Sequence, residues 1–429
     1  MMNSLNVGDS RKDQATPTEC PPAVIAGAYR TGVLGARSLM RRQVRATLFD
    51  CDPAMPGFRS VYGSARLSPN PDTEPDAWVR FMVNLAAEHG QRPVLIASAD
   101  QFISAISKHA ESLSLHYILS PGIAAQGVLA EKFAQYQLAR EHGMPLPRTE
   151  YATSITDVEA FGRVACFPCL AKPNHFREWQ RLPADHPLKD QKIAVANGPS
   201  QLCEIYRSVA ELTPAIILQE VIMGGDACKS VYLACYDRHG RRIANAMFRE
   251  LRCDPVGFGP ATVTEPFFDP EVDEICDKFL TRMGYSGICE IEVKRDVRDG
   301  GVKLIEANPR LTGSGDAAPY AGVDLCWLHY LDLIGQPVVP VAPSNCHFRH
   351  IVLRSDARAV PNYLRAGIIT WRDVLHSYSG PKAYFDLDWR DWRYSVETVY
   401  IAIGAFTSRM LRWLMERVRV SHGRPVTRD

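Results

Sequence analysis

The chain has 429 residues, enough for about two to four domains with buried cores. Its 49 Lys and Arg against 48 Asp and Glu leave a formal charge of +1, so no whole-molecule field draws nucleic acid or anionic lipid, and no nucleic-acid partner is expected. Hydrophobic residues at 46% and charged residues at 23% exclude a largely disordered or collagen-like chain.

Residues 1 to 21 are polar and read as a disordered leader without the apolar stretch of a signal peptide. No run reaches the ~18 apolar residues of a membrane span. The 12 cysteines are scattered singly rather than spaced as a disulfide framework, so a cytoplasmic protein is expected. The single CxxC, Cys166-Phe-Pro-Cys169, reads as two buried thiols opening a strand rather than a metal or redox site.

From residue 22 to 128, apolar strands alternate with helices. Strands are predicted at Ala23 to Ala26, Ala46 to Phe49, Val94 to Ala97 and His116 to Leu119, with helices through Leu39, over Ala77 to His89 and from Gln101. That rhythm predicts a Rossmann-like α/β domain with a parallel sheet. After a helix over Leu129 to His142 and the breakers Gly143 to Pro147, the pattern becomes antiparallel. Ser230 to Tyr236 and Arg242 to Phe248 flank Asp237 to Gly240, while Gly287 to Arg295 and Val302 to Asn308 flank Asp296 to Gly301. An α+β region over 129 to 335 therefore follows, and a mostly helical extension, rich in Trp and Arg, runs from 336 to 429.

The second hairpin carries the most chemistry. Strand alternation puts Glu290 and Glu292 on one face of the first strand, and Glu306 and Asn308 on one face of the second. If the turn pairs Arg295 with Lys303, Glu292 lies across from Glu306. Like charges directly opposed destabilise a ribbon unless something positive sits between them. Two carboxylates and an amide, with positions left for phosphate and water oxygens, suit Mg²⁺ rather than zinc. A merely solvated face would interleave Lys or Thr among these acids.

Phosphates also need cations. Lys172 ends the strand Cys169 to Pro173 and Lys132 opens a helix; taken alone, each reads more safely as a surface lysine. Ile216 to Ile222 is a buried-type strand that turns polar at Gln219 and Glu220. Its free end could bond a purine edge, and Asp226, beyond Met223-Gly-Gly, could reach ribose hydroxyls.

In chain order, a Gly-rich first turn, Glu131-Lys132, Leu170-Ala-Lys172-Pro, Gln219-Glu-Val-Ile-Met-Gly-Gly-Asp226, Glu290-Ile-Glu292 and Glu306-Ala-Asn-Pro-Arg310 resemble the ATP-grasp superfamily. The resemblance is to its carboxylate-amine ligases of the D-aspartate ligase-like type and covers about residues 22 to 335. It implies an ATP-grasp domain of two α+β subdomains behind the Rossmann-like one, with ATP between two antiparallel sheets. It further implies that Lys132 and Lys172 touch the phosphates, that Gln219, Glu220 and Val221 read adenine, and that Asp226 reads the ribose. Glu292, Glu306 and Asn308 would hold Mg²⁺, with Mn²⁺ as its substitute, and Arg310 would stabilise the transferring phosphoryl group. Substrate contacts are expected from Tyr29, Arg30, Asp100 and Ser314. Arg249 and Arg252 join them, since Glu250 stands where a cation is expected.

The implied reaction makes an acyl phosphate from a carboxylate and ATP, which an amine then attacks, with an amino acid as one of the two small-molecule substrates. Two rivals stand beside it. Gly27, Gly32 and Gly35 with Asp50 suggest a dinucleotide-binding NAD(P) oxidoreductase, although the spacing is G-x4-G-x2-G rather than G-x-G-x-x-G. The C-terminal helical pattern through Val399, Ile403, Phe406, Met410, Trp413, Leu414 and Val418, with Arg409, Arg412, Arg417 and Arg419, suits a non-catalytic module on a membrane surface. Docking on its own chain or on a second copy in a homo-oligomer is the more frequent use of such a helix.

Overall fold

The computed structural model describes residues 20–174, 176–344 and 346–421. The expected leader therefore lies, up to residue 19, outside the described residues. Four parallel strands open the chain: β1 (Ala23–Ala26), β2 (Ala46–Asp50), β3 (Ser64–Leu67) and β4 (Val94–Ala97), in the order β3-β2-β1-β4. β3 escapes the sequence reading because it is a largely exposed edge strand with no apolar alternation. The strand expected at His116 to Leu119 shrinks to one parallel bridge, in which Ile118 bonds Leu95 and Pro93 through its backbone. The helix expected over Leu129 to His142 is two helices, Ile123–Ala130 and Lys132–Glu141, broken where Glu131 turns extended at φ −84° and ψ 115°.

A small antiparallel sheet follows, built from β5 (Thr149–Ala152), β6 (Cys169–Pro173), β7 (Ala194–Ala196) and β8 (Ile216–Glu220) in the order β5-β8-β6-β7. At its entrance Cys166 is exposed and Cys169 buried, and neither is in a disulfide, so only one of the two expected thiols is enclosed.

The large sheet has seven strands: β9 (Lys229–Tyr236), β10 (Arg242–Cys253), β11 (Ala261–Pro266), β12 (Gly287–Arg295), β13 (Val302–Asn308), β14 (Arg349–Ile351) and β15 (Lys382–Tyr384), ordered β13-β12-β9-β10-β11-β14-β15. The C-terminal extension is thus not only helical. It adds two strands of three residues each, too short to show a period, beside β11.

Alternation along the large sheet divides its apolar side chains between two cores. Tyr232, Ala234, Cys289 and Ile291 pack with Phe279 and Leu280 of the helix Pro270–Arg282. Val231, Leu233 and Phe248 face the other way and share a core with Ile25 and Leu48 of the parallel sheet and Leu328 of the helix Leu325–Leu333. That shared core seats the carboxyl ends of β1 and β4 against the acidic hairpin. Gly35 permits the approach, since a Cβ there would stand 2.6 Å from Leu311 Cδ1.

The last helix, Trp392–Ser421, packs on the helix Leu353–Arg365, where Arg409 donates to the Arg358 carbonyl at 2.8 Å. Val399 and Ile403 are exposed. The side chains of Leu414, Arg417, Val418 and Arg419 lie outside the described residues. Among those described, no helix is long and apolar enough to cross a membrane.

Candidate active site

The acidic ribbon forms with Glu292 paired to Glu306 and Glu290 to Asn308. The turn, however, does not pair Arg295 with Lys303. Arg295 meets Val302 and Lys294 meets Lys303, one step out of the expected register. A bulge at Ile305 restores it before the acids are reached. The bulge has a cause outside the hairpin. From the helix Lys132–Glu141, the Tyr136 hydroxyl donates to the Ile305 carbonyl at 3.0 Å. Gln135 pairs both backbone groups of Ala307, accepting from its N–H at 2.9 Å and donating to its carbonyl at 2.6 Å.

Glu290 is buried, and its carboxylate accepts from Thr312 Oγ1 at 2.7 Å and from Asn308 Nδ2 at 3.3 Å. Burial, followed by the nearness of Glu290, Glu250 and Glu306, pushes the Glu292 carboxyl well above its usual range. The Glu250 and Glu290 carboxyls are also raised, chiefly by burial. Buried carboxylates that raise one another in this way favour a cation bound among them. The site's hard oxygen donors and amide match Mg²⁺. Among the described residues no three His, Cys, Asp or Glu side chains make a complete metal cluster, so the remaining ligands would have to be phosphate and water oxygens.

Cations face these acids. Lys172, buried on β6, donates to Gln219 Oε1 at 2.7 Å and to the Tyr136 hydroxyl at 3.3 Å. Burial pulls its pKa down to about 8, against the opposing pull of Glu306 and Glu292. Lys132 opens its helix as expected, near Tyr136 and Asp100. Arg310 binds Asp100 through Nε at 2.5 Å and through a second nitrogen at 3.0 Å, and reaches Asn308 Oδ1 at 3.0 Å. Arg310 and Asp100 therefore meet, joining the end of β4 to the acidic ribbon.

The cation missing at Glu250 is supplied by its neighbour strand. Lys229 on β9 donates to Glu250 Oε2 at 3.0 Å and lies 3.7 Å from Asp226. Sequence reasoning passed over Lys229, although it shares strand alternation with Val231 and Leu233. Arg249 and Arg252 point elsewhere. Arg249 pairs with Glu265 and lies over the Phe267 ring, and Arg252 is locked to Asp356 of the extension by two 2.8 Å bonds.

At the strand end of β8 the side chains bond their neighbours. Gln219 holds Lys172 and donates to Thr149 Oγ1 at 2.9 Å. The Glu220 carboxylate accepts from the Cys166 N–H, and the Val221 backbone bonds Pro168 and Arg298. Asp226 accepts from Tyr363 and Cys253.

On the parallel-sheet side, Tyr29 is exposed and Arg30 buried, its guanidinium 3.4 Å from Asp386 and over the Tyr29 and Phe385 rings. Ser314 lies near Glu290. Asp50 is not available to a ribose. Its carboxylate accepts the backbone N–H groups of Ala28 at 2.8 Å and Asp52 at 3.1 Å, which removes the anchor of the dinucleotide reading. Gly27, at φ +111°, admits Ser98, whose Oγ would lie 2.5 Å from a Cβ placed there.

No family model matches the chain. The sequence is 24% identical over 287 residues to the D-aspartate ligase of Enterococcus faecium (strain Aus0004), covering 64% of this chain and 67% of that one. Among solved structures, the N5-carboxyaminoimidazole synthetase of Staphylococcus aureus complexed with ADP superposes with a TM-score of 0.59 at 14% identity, over 75% of this chain and 79% of that one. The fold is ATP-grasp. The L-amino acid ligase of Bacillus licheniformis shares it at a TM-score of 0.53 and 14% identity, over 73% of this chain and 74% of that one. The family resemblance read from the motifs is borne out by these likenesses.

Proposed function

We propose that the protein is an ATP- and Mg²⁺-dependent ligase that activates a carboxylate as an acyl phosphate and joins it to an amine, releasing ADP and phosphate. The observation that carries this reading is the pairing of Glu292 with Glu306 on an ATP-grasp sheet, with Asn308 and Arg310 at the same strand end. Likeness to a D-aspartate ligase and to an L-amino acid ligase supports an amino acid as one substrate, and D-aspartate is the first to try.

A carboxylate is a poor electrophile because its leaving group would be oxide. Its oxygen attacks the γ-phosphorus of ATP, the bond to ADP breaks, and the acyl phosphate carries a leaving group the amine can displace. Glu292, Glu306 and Asn308 would hold the metal, which when bound neutralises charge on the phosphate oxygens. Lys172, fixed by Gln219 and Tyr136, presents its ammonium to those oxygens. Arg310, oriented by Asp100 and Asn308, brings its guanidinium charge to the strand end where the transferring group would sit. The chemistry calls on charges and positioning, with no protein nucleophile.

A screen of amino acids and small carboxylates for ADP release, with hydroxylamine present to trap an acyl phosphate as a hydroxamate, tests the proposal. D-aspartate with an amine partner is expected to give turnover, and Glu306→Gln to lower it by about a hundredfold or more. An unchanged rate in Glu306→Gln would remove the ribbon from the mechanism.

A further inference from the structure

Beyond the two acids, β12 continues to Lys294, on the same face as Glu290 and Glu292. Across the sheet, Lys294 is paired directly with Lys229 of β9. Lys294 is 8% exposed and Lys229 5%. Two ammonium side chains directly opposed and nearly enclosed are unfavourable on an antiparallel pair. Lys229 has an answering charge, since Glu250 and Asp226 lie within ion-pair distance. Lys294 has none: among the described residues no carboxylate comes within ion-pair distance of it and nothing hydrogen-bonds its ammonium. A mostly buried lysine with no contact partner, answered only by the longer-range charge of Asp226, in a fold that pairs its neighbouring lysine twice, has room for an anion from outside.

Its place identifies the anion. Lys294 follows Glu292 by two residues, about 7 Å along the strand. On its other side lie Lys229 and, 3.7 Å from that lysine, Asp226 in the turn after β8. With Asp226 at the ribose, as the motif resemblance implies, a nucleotide laid from that turn to the acidic ribbon would carry its first phosphate near this point.

We infer that Lys294 is a nucleotide-binding residue whose ammonium engages the phosphate next to the ribose, with Lys229, held by Glu250, as its flanking cation. The assignment rests on the ligase reading but adds a contact that the motif residues do not contain.

The test is titration calorimetry of the full-length protein with ADP, AMP and adenosine, in the wild type, Lys294→Met and Lys294→Arg, alongside thermal unfolding without ligand. For Lys294→Met the expectation is ADP and AMP binding weakened about tenfold or more, with adenosine binding unchanged. Lys294→Arg should restore most of the phosphate preference. The unliganded Lys294→Met protein should unfold at a higher temperature than wild type, because an unanswered buried charge is gone. A lysine serving only the fold would shift stability the other way.

ADP binding equal in wild type and Lys294→Met overturns the inference. Equal weakening of ADP and adenosine also overturns it, because the loss would then lie in the scaffold and not in a phosphate contact. If Lys294→Met cannot be recovered folded, the stabilisation expected on its removal is contradicted and the inference fails on that ground. Wild-type protein that binds none of the three ligands defeats the ligase reading itself.

Discussion

Lys172 holds an ammonium in a place that resists it. Burial lowers its pKa from 10.5 to about 8, with Glu306 and Glu292 working the other way. Below pH 8 the group is charged folded and unfolded alike, so the penalty on the fold is fully present. As pH rises from about 8 toward 10.5, the unfolded chain binds more protons than the folded one, and that penalty is relieved. Nucleotide binding follows the opposite slope. Phosphate oxygens favour the charged lysine, so ADP affinity should be flat below about pH 8 and fall above it, by up to about tenfold per pH unit, as a proton must be taken up to bind. Calorimetry of ADP binding between pH 7 and 9.5 measures this directly, and Lys172→Met should bind more weakly at pH 7 and lose the slope. A slope that persists in the variant assigns the titration to another group. Gln219→Leu offers a gentler probe. It removes the acceptor that holds Lys172 at 2.7 Å, and it should raise the Michaelis constant for ATP more than it lowers turnover.

Among the elements, the helix Leu353–Arg365 is tied to the large sheet through the Tyr363 hydroxyl, which accepts from the Cys253 N–H at 2.9 Å, and above all through one carboxylate. Asp356 is fully buried and accepts four bonds: two from Arg252 at 2.8 Å, one from Thr262 Oγ1 at 2.8 Å and one from the Tyr378 hydroxyl at 2.6 Å. Asp356→Ala leaves the buried Arg252 guanidinium unanswered, which should cost about 3–5 kcal/mol of stability, read as a lower urea midpoint. A midpoint unchanged within error would mean that water reaches Arg252. This tie was not legible in the sequence, where Arg252 reads as a substrate contact, because its partner lies 104 positions away in a segment whose strands are three residues long. The paired hairpins were legible, since their apolar alternation and turn residues are local. The acidic ribbon shows the limit between the two cases. Alternation put Glu290 and Glu292 on one face, and an assumed Arg295–Lys303 register put Glu292 opposite Glu306; at the turn that register is one residue off, and the Ile305 bulge restores it. Gln135 and Tyr136, which hold that bulge, sit on a helix that no reading of the hairpin includes.

At the scale of the whole molecule, the extension after residue 336 lies across both of the units that precede it. It continues the large sheet through β14 beside β11 and β15 beside β14. It also reaches the parallel-sheet side, where Asp386 meets Arg30, and Asp388 accepts from Tyr62 at 2.7 Å and from Arg41 at 3.0 Å. Phe348 and Ala383 belong to the same core as Ile25, Leu48 and Val231. A separable tail would leave the rest of the chain intact when cut away. Here a chain ending at residue 335 uncovers the edge of β11, opens the shared core and leaves Arg30 and Arg252 without their carboxylates, all at once. An open sheet edge above an exposed apolar core is a template for aggregation. The truncated chain should therefore be recovered largely as aggregate, and any soluble fraction should show early, broad unfolding and no ADP binding by calorimetry. A monomeric 1–335 chain that unfolds at the wild-type temperature and binds ADP with wild-type affinity would show that the extension is an appendage. Its strands and ion pairs would then contribute little to the fold that holds the acids of β12 and β13 in place.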